Sequence, residues 1–269
     1  MPLTSAPAAA ARPDAGPGVS IECRNVSQRF GSFTAVDDVS FEVAAGEFVS
    51  LIGPSGCGKS TLVQLCAGLE LPTRGEVLVD GRRLTRPMTD VGIVFQDHLL
   101  LEFRTALDNV LLQPIIRGRN MAQARQEAER LLAKVGIAHA AGRYPHQLSG
   151  GMRQRVSIAR ALVHNPSVLL MDEPFGALDA ITRTQIRHDL ELLWMETRKT
   201  VVFITHSMEE AIGLSDRVLV MSPSPGRIVD VIPVDLPRPR PAHLGEYPSF
   251  NTYVERVNAI FRTMGVITY

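Results

Sequence analysis

The sequence predicts an α/β fold: a parallel central sheet, an antiparallel β subdomain beside it and an α-helical subdomain inserted between two of its strands. Three observations predict this. The runs at 48–52, 168–171, 201–204 and 218–221 are short and apolar on both faces, as strands buried between two helical layers are. The alternation of Ile21, Cys23 and Val26 with polar residues, repeated over 39–43, suits half-buried strands of an outer sheet. Between Gln96 and Pro166 no run has the character of a central strand.

Taken in order, residues 1–18 (MPLTSAPAAAARPDAGPG) lack a basic start and an unbroken apolar stretch, and their Ala, Pro and Gly content predicts a disordered tail. The two outer strands and the 48–52 strand follow. After Lys59, the residues Leu62, Leu65, Cys66 and Leu69 recur at helical spacing and mark one buried helix face. In the insertion, about 97–165, Asn120 is placed to cap a helix that turns Ala128, Leu131, Leu132 and Val135 inward before Gly136 stops it. The proline-rich stretch SPSPGRIVDVIPVDLPRPRP ends the core near Asp235, so that 236–269 form an extended strap and a last helix-like stretch.

The chain has 269 residues, 45% hydrophobic and 21% charged, enough for an ordinary core without staples. Lys plus Arg and Asp plus Glu both number 28, which leaves no overall basic field to hold nucleic acid. Three cysteines without a Cys-x-x-Cys pair indicate neither a disulfide framework nor a zinc site, and a reducing cytoplasm fits them. No run approaches the ~18 apolar residues that a membrane span requires.

Gly53-Pro54-Ser55-Gly56-Cys57-Gly58-Lys59-Ser60-Thr61 follows an apolar strand and opens a helix, the setting in which a glycine loop cradles phosphate. Glycines let successive N–H groups curl around phosphate oxygens at a helix N-terminus; Lys59 reaches the β and γ phosphates, Ser60 offers a hydroxyl to Mg²⁺, and Thr61 can bond the α-phosphate. The fold class sharpens to a P-loop NTPase (RecA-like) core. Asp172 and Glu173 end the 168–171 strand, where parallel-sheet ligand sites form. Asp172 suits a Mg²⁺ ligand and Glu173 a carboxylate that orients or deprotonates an attacking water. Ser149 can cap a helix opening with Gly150 and Gly151, a second anion-facing helix end.

Leu148-Ser149-Gly150-Gly151-Met152-Arg-Gln-Arg155, lying after the phosphate loop and before the acidic pair, resembles the signature motif of ABC ATPases. The resemblance covers residues 19 to about 235. It implies that Gln96 is the glutamine that senses Mg²⁺ and lytic water, that His206 is the switch histidine contacting γ-phosphate, and that Asp179 crosses to a partner subunit; Asp179 can also simply cap the helix from Ala180. Phe30 stands where the family places an adenine-stacking aromatic, an alternative to an ordinary core position. The resemblance further implies a homodimer in which ATP is held by the phosphate loop of one chain and by Ser149, Gly150, Gly151 and Asp179 of the other. It also implies two membrane-spanning permease subunits, an extracytoplasmic substrate-binding protein, and a peripheral place on the cytoplasmic face of the inner membrane. Met152, Pro174-Phe-Gly-Ala-Leu-Asp-Ala180, Pro225-Gly-Arg-Ile228 and Val234-Asp-Leu-Pro-Arg238 are similar to the nitrate/sulfonate/taurine importer branch, from which Leu101-Glu-Phe-Arg104 departs. A lipid or lipoprotein extractor, an exporter, or a soluble ABC ATPase would share the core motifs. The branch motifs favour import.

Overall fold

The computed structural model describes residues 18–176 and 178–267, so the tail expected over 1–18 lies, Gly18 apart, outside the described residues. In chain order the elements are β1 (Ile21–Phe30), β2 (Phe33–Val43), β3 (Phe48–Ile52), α1 (Lys59–Ala67), β4 (Arg74–Val79), β5 (Arg82–Arg83), β6 (Val91–Val94), α2 (Ala106–Val110), α3 (Leu112–Ile116), α4 (Met121–Lys134) and α5 (Gly150–Leu162). They continue with β7 (Val168–Asp172), α6 (Ala180–Thr197), β8 (Thr200–Thr205), α7 (Met208–Leu214), β9 (Arg217–Met221), β10 (Ile228–Pro233) and α8 (Pro248–Thr263). None of these helices is long and apolar enough to cross a membrane.

Strands β3 and β8 are buried along their whole length and β7 and β9 along all but one residue, as strands covered on both faces must be. They form the sheet β10-β9-β3-β8-β7-β6, parallel throughout except where β10 runs antiparallel to β9. The half-buried strands form a separate antiparallel sheet, β2-β1-β4-β5. Register sets up the site. Ile52 pairs with Thr205, Asp172 with Ile204 and Val94 with Met171, so the chain leaves β3, β8, β7 and β6 along one edge.

Helices α2 to α5 lie between β6 and β7 in the chain. Asn120 caps α4, its side chain accepting from the N–H groups of Ala122 and Gln123, and Ala128, Leu131, Leu132 and Val135 are buried as the periodicity predicts. Leu69 differs from expectation. Helix α1 ends at Ala67, Gly68 turns the chain at φ 69°, and Leu69 is 49% exposed. Between sheet and helices, Phe48 meets Trp194 edge-on at 5.7 Å and Phe203 at 5.8 Å, an aromatic stack at the centre of the larger apolar cluster.

The apolar core continues past Asp235. Leu236 and, from α8, Val257 and Phe261 pack with Ile52, Ala211, Val218 and Ile232. The strap between β10 and α8 is held by buried charge. Arg238 donates to Glu191 on α6 at 2.9 Å and stacks over Trp194 at 4.4 Å, while the N–H of Arg240 donates to the same carboxylate at 3.0 Å. The Arg240 guanidinium, 1% exposed, donates to the carbonyls of Ile212 (2.6 Å) and Ser215 (2.9 Å), which the end of α7 leaves without helical partners. Burial pulls its pKa down to about 10, the cost of taking this charge out of water. Because removing one member of a buried, bonded charge cluster costs about 3 kcal/mol or more, Arg240→Met is expected to lower unfolding stability by about 3 kcal/mol. Urea denaturation followed by circular dichroism measures it, and a loss below about 1 kcal/mol would mean that the strap is not held through this side chain.

Candidate nucleotide site

The loop from Gly53 to Gly58 is shaped by its glycines and walled by two distant segments. Gly58 has φ 92°, and a Cβ there would lie 2.5 Å from Val36 Cγ1 and 2.7 Å from the Ala35 carbonyl of β2. Gly226, in the Pro225-Gly-Arg-Ile turn, pairs with that β2 segment and also approaches the loop: a Cβ would stand 1.9 Å from the Cys57 carbonyl, and its N–H donates to the Ala35 carbonyl. Sequence reasoning placed Gly226 only among the branch motifs. The structure gives it the physical task of letting this turn close against the loop. Lys59 is buried, its ammonium donating to the carbonyls of Gly53 (2.9 Å) and Pro54 (3.0 Å), which aims the charge into the loop. The Cys57 thiol is buried beside it, and burial pushes its pKa up, so it is a packing group rather than a nucleophile.

Ser60 and Asp172 come together across the sheet edge. The Ser60 hydroxyl stands near enough to the Asp172 carboxyl to lower its pKa, while Asp172 Oδ1 is buried with no hydrogen-bond partner. Burial raises the Asp172 pKa, against the lowering from Ser60 and the Lys59 charge. A hydroxyl beside an unsatisfied carboxylate oxygen is a donor set for a hard cation such as Mg²⁺, which takes one or two protein oxygens and completes its shell from phosphate and water. Glu173 follows with φ 43°, its N–H donating to Ile204, and its Oε2 lies 3.1 Å from Nδ1 of the more exposed His206. Thus Lys59, Ser60, Asp172, Glu173 and His206 gather on one edge, and the exposed Gln96 follows β6 on that edge.

Ser149, Gly150, Gly151 and Asp179 form a second group. Ser149 caps α5, accepting from the Met152 N–H at 3.2 Å, and Asp179 caps α6, accepting from the Thr182 N–H at 3.0 Å. Both remain exposed. The two helix starts touch: a Cβ on Gly151 would lie 2.5 Å from Thr182 Cγ2. The start of α5 lies in a different packing unit from the phosphate loop, since α1 packs on β1, β2, β7 and β8 whereas α5 packs on α2, α4, α6 and β6. Phe30 stands apart from both at the tip of the β1–β2 hairpin, 45% exposed and paired with Phe33, and so is no core residue. The segment after Gln96 is tied to α5, because His98 bonds Gln154 at 2.8 Å and Arg160 donates to the carbonyls of His98 and Leu99. Those residues give no signal in the sequence beyond ordinary polar positions.

Comparison with known proteins agrees with this geometry. The sequence profile of the ABC transporter family matches residues 36–176. The nitrate transport protein NasD of Klebsiella oxytoca is 46% identical over 228 residues, covering 82% of this chain and 87% of that protein. The taurine import ATP-binding protein TauB of Rhizobium johnstonii is 46% identical over 235 residues, covering 85% and 89%. The aliphatic sulfonates import ATP-binding protein SsuB 2 of Pseudomonas aeruginosa is 45% identical over 223 residues, covering 83% and 78%. Among solved structures, the dimeric cassette MJ0796 superposes with a TM-score of 0.72 at 34% identity, covering 80% of this chain and 99% of that one. A post-hydrolysis dimer of the same cassette bound to ADP and Pi superposes with a TM-score of 0.71, at the same identity and coverage. An ATP-binding, ATP-hydrolysing cassette is what such a sheet edge defines. The chain belongs to the ABC transporter family.

The partly buried Asp172 carboxyl bears on stability. A carboxyl whose pKa is raised by folding opposes folding when ionised and ceases to do so once pH falls below the unfolded-state value near ~3.9. Asp172→Asn, measured in chelator, is therefore expected to melt at a higher temperature than the native chain at pH 7, with the gap closing as pH approaches about 4. Mg²⁺-dependent ATP hydrolysis should be lost in the same variant. A melting point at pH 7 equal to or below the native one would contradict this reading of the carboxylate.

Proposed function

We propose that this chain is the energy-coupling ATPase of an importer for a small anion such as nitrate, a sulfonate or taurine. It would act as a homodimer on two membrane-spanning permease subunits served by an extracytoplasmic substrate-binding protein. It lies peripherally on the cytoplasmic face of the inner membrane, and residues 19–235 form the ATPase domain, with the helical subdomain about 97–165. The chain's similarity to NasD, SsuB 2 and TauB supports the transported class. One observation carries the mechanism: the chain presents two anion-facing helix starts, at Gly58 and at Ser149, on helices that share none of their main packing partners.

In this reading the N–H groups of Gly53 to Ser60, together with Lys59, bind the β and γ phosphates, Thr61 bonds the α-phosphate, and Phe30 stacks on the base. Ser60 and Asp172, with Gln96 at the edge, would hold Mg²⁺, which neutralises charge developing on the phosphates. Glu173 accepts a hydrogen bond from the attacking water and His206, 3.1 Å away, holds that carboxylate while facing the γ-phosphate. Ser149, Gly150, Gly151 and Asp179 of the second chain close the other side of the nucleotide. Donors aimed at phosphate from both chains make ATP the adhesive of the dimer, and loss of the γ-phosphate releases it.

Glu173→Gln removes the basic oxygen but keeps the phosphate and Mg²⁺ contacts. It is expected to bind ATP normally, to lose at least ~99% of turnover in line with the contribution of a general base, and to accumulate as ATP-dependent dimers in size-exclusion chromatography. Near-native turnover would show that Glu173 does not orient the attacking water.

A further inference from the structure

His206 is held in place by a small network that runs to the other functional group of the chain. The residues on both sides of it are fixed to Glu210, one through its carboxylate and one through its backbone: the Thr205 hydroxyl donates to Glu210 Oε2 and accepts from the Ser207 N–H at 3.0 Å, and the Ser207 hydroxyl accepts from the Glu210 N–H at 3.3 Å. Glu210 is 4% exposed. Burial raises its pKa, and the Thr205 bond and the charges of Arg183 and His206 oppose that, with Glu173 acting the other way. Its cationic partner, Arg183 on the first turn of α6, has Nε 3.6 Å from Glu210 Oε1. The same guanidinium donates through Nη2 to the carbonyl of Leu178 at 2.9 Å, one residue before Asp179.

A single side chain thus joins the backbone that presents Asp179 to Glu210, whose carboxylate holds Thr205 and whose N–H holds Ser207. A guanidinium hydrogen-bonded to one segment and ion-paired to the other couples their positions, because moving Leu178 by about an ångström weakens the carbonyl bond or the ion pair. We propose that Arg183 and Glu210 are a positioning pair that carries the placement of the Leu178–Asp179 segment to His206, so that contact of a second chain with Asp179 sets the switch histidine for hydrolysis. The inference rests on the proposed roles of Asp179 at the partner chain and of His206 at the γ-phosphate. Neither residue of the pair is among those assigned to nucleotide in the proposed function. Misplacing a catalytic group by about 1 Å can cost up to ~100-fold, so a pair that positions His206 affects turnover and leaves ATP binding alone.

The test uses the full chain with Mg²⁺ and ATP, in Arg183→Met, Glu210→Gln, the double variant and Arg183→Lys. Each single variant is expected to lower kcat about tenfold while KM for ATP stays within about twofold and circular dichroism shows a folded chain at assay temperature. The double variant should be no slower than the worse single, because both lesions cut one connection. Arg183→Lys, which keeps the charge without the fork, should recover part of the rate. Unchanged kcat in either single, multiplying losses in the double, or a loss of rate matched by loss of folded protein would overturn the proposal. His206→Ala, assayed alongside, separates the two levels. If it turns over at the native rate, the role of His206 falls and the pair falls with it; if it is inactive while Arg183→Met is fully active, only the pair falls.

Discussion

The pairing of β3 with β8 and of β8 with β7, in one register, is the constraint on which the rest of the molecule depends. Adjacent strands lie about 4.8 Å apart, so a phosphate loop after β3, a carboxylate at the end of β7 and a histidine after β8 are brought within reach of one nucleotide without further folding. Strands that present functional groups at their ends must be immobile along their length. That requirement is met by apolar side chains on both faces, packed on one side against the Trp194 and Phe203 stack and on the other against α1 and the outer sheet. The site itself is then free to carry features that oppose folding: a carboxyl oxygen without a partner, a buried lysine, and Glu173 at positive φ.

A second consequence concerns what one chain lacks. Its glycine-led helix starts belong to different packing units, and Ser149 and Asp179, which cap α5 and α6, are exposed with their caps already made. Serine and aspartate capping leaves part of each helix N-terminus to bond an external anion. In the function proposed, completion by another copy would turn the γ-phosphate into a contact between chains, and hydrolysis into its removal. Arg240 of the strap bonds both α6, at Glu191, and the end of α7, at Ile212, while Arg183 and Glu210 pair the same two helices nearer the site.

How much of this is legible in the sequence follows from physical locality. The central strands can be read because burial on both faces leaves an apolar run, and the phosphate loop because its backbone geometry admits few residues besides glycine. Ser149 and Asn120 can be read as caps because a cap bonds within three residues. Strands β4 and β10 are less visible, since their alternation is incomplete and their partners, β1 and β9, decide their burial. The arginines of the strap resemble surface residues by type, and only partners far along the chain, such as Glu191, 49 positions from Arg240, show otherwise. The same holds for Arg183 with Glu210, for His98 with Gln154, and for Gly226, whose constraint comes from Cys57. Leu69 misled because helical spacing continues past the glycine that ends the helix.

The central claim is that each ATP is held between two chains, and the most direct measurement mixes two inactive variants, Lys59→Ala and Ser149→Arg, under conditions that allow subunit exchange. In the mixed dimer one site joins the intact phosphate loop of one chain to the intact Ser149 helix of the other, while the second site carries both lesions. A shared nucleotide predicts that mixing restores part of the ATPase rate and that native activity per chain rises with protein concentration. No recovery on mixing, together with activity per chain that is flat on dilution, would contradict it and return hydrolysis to the single chain.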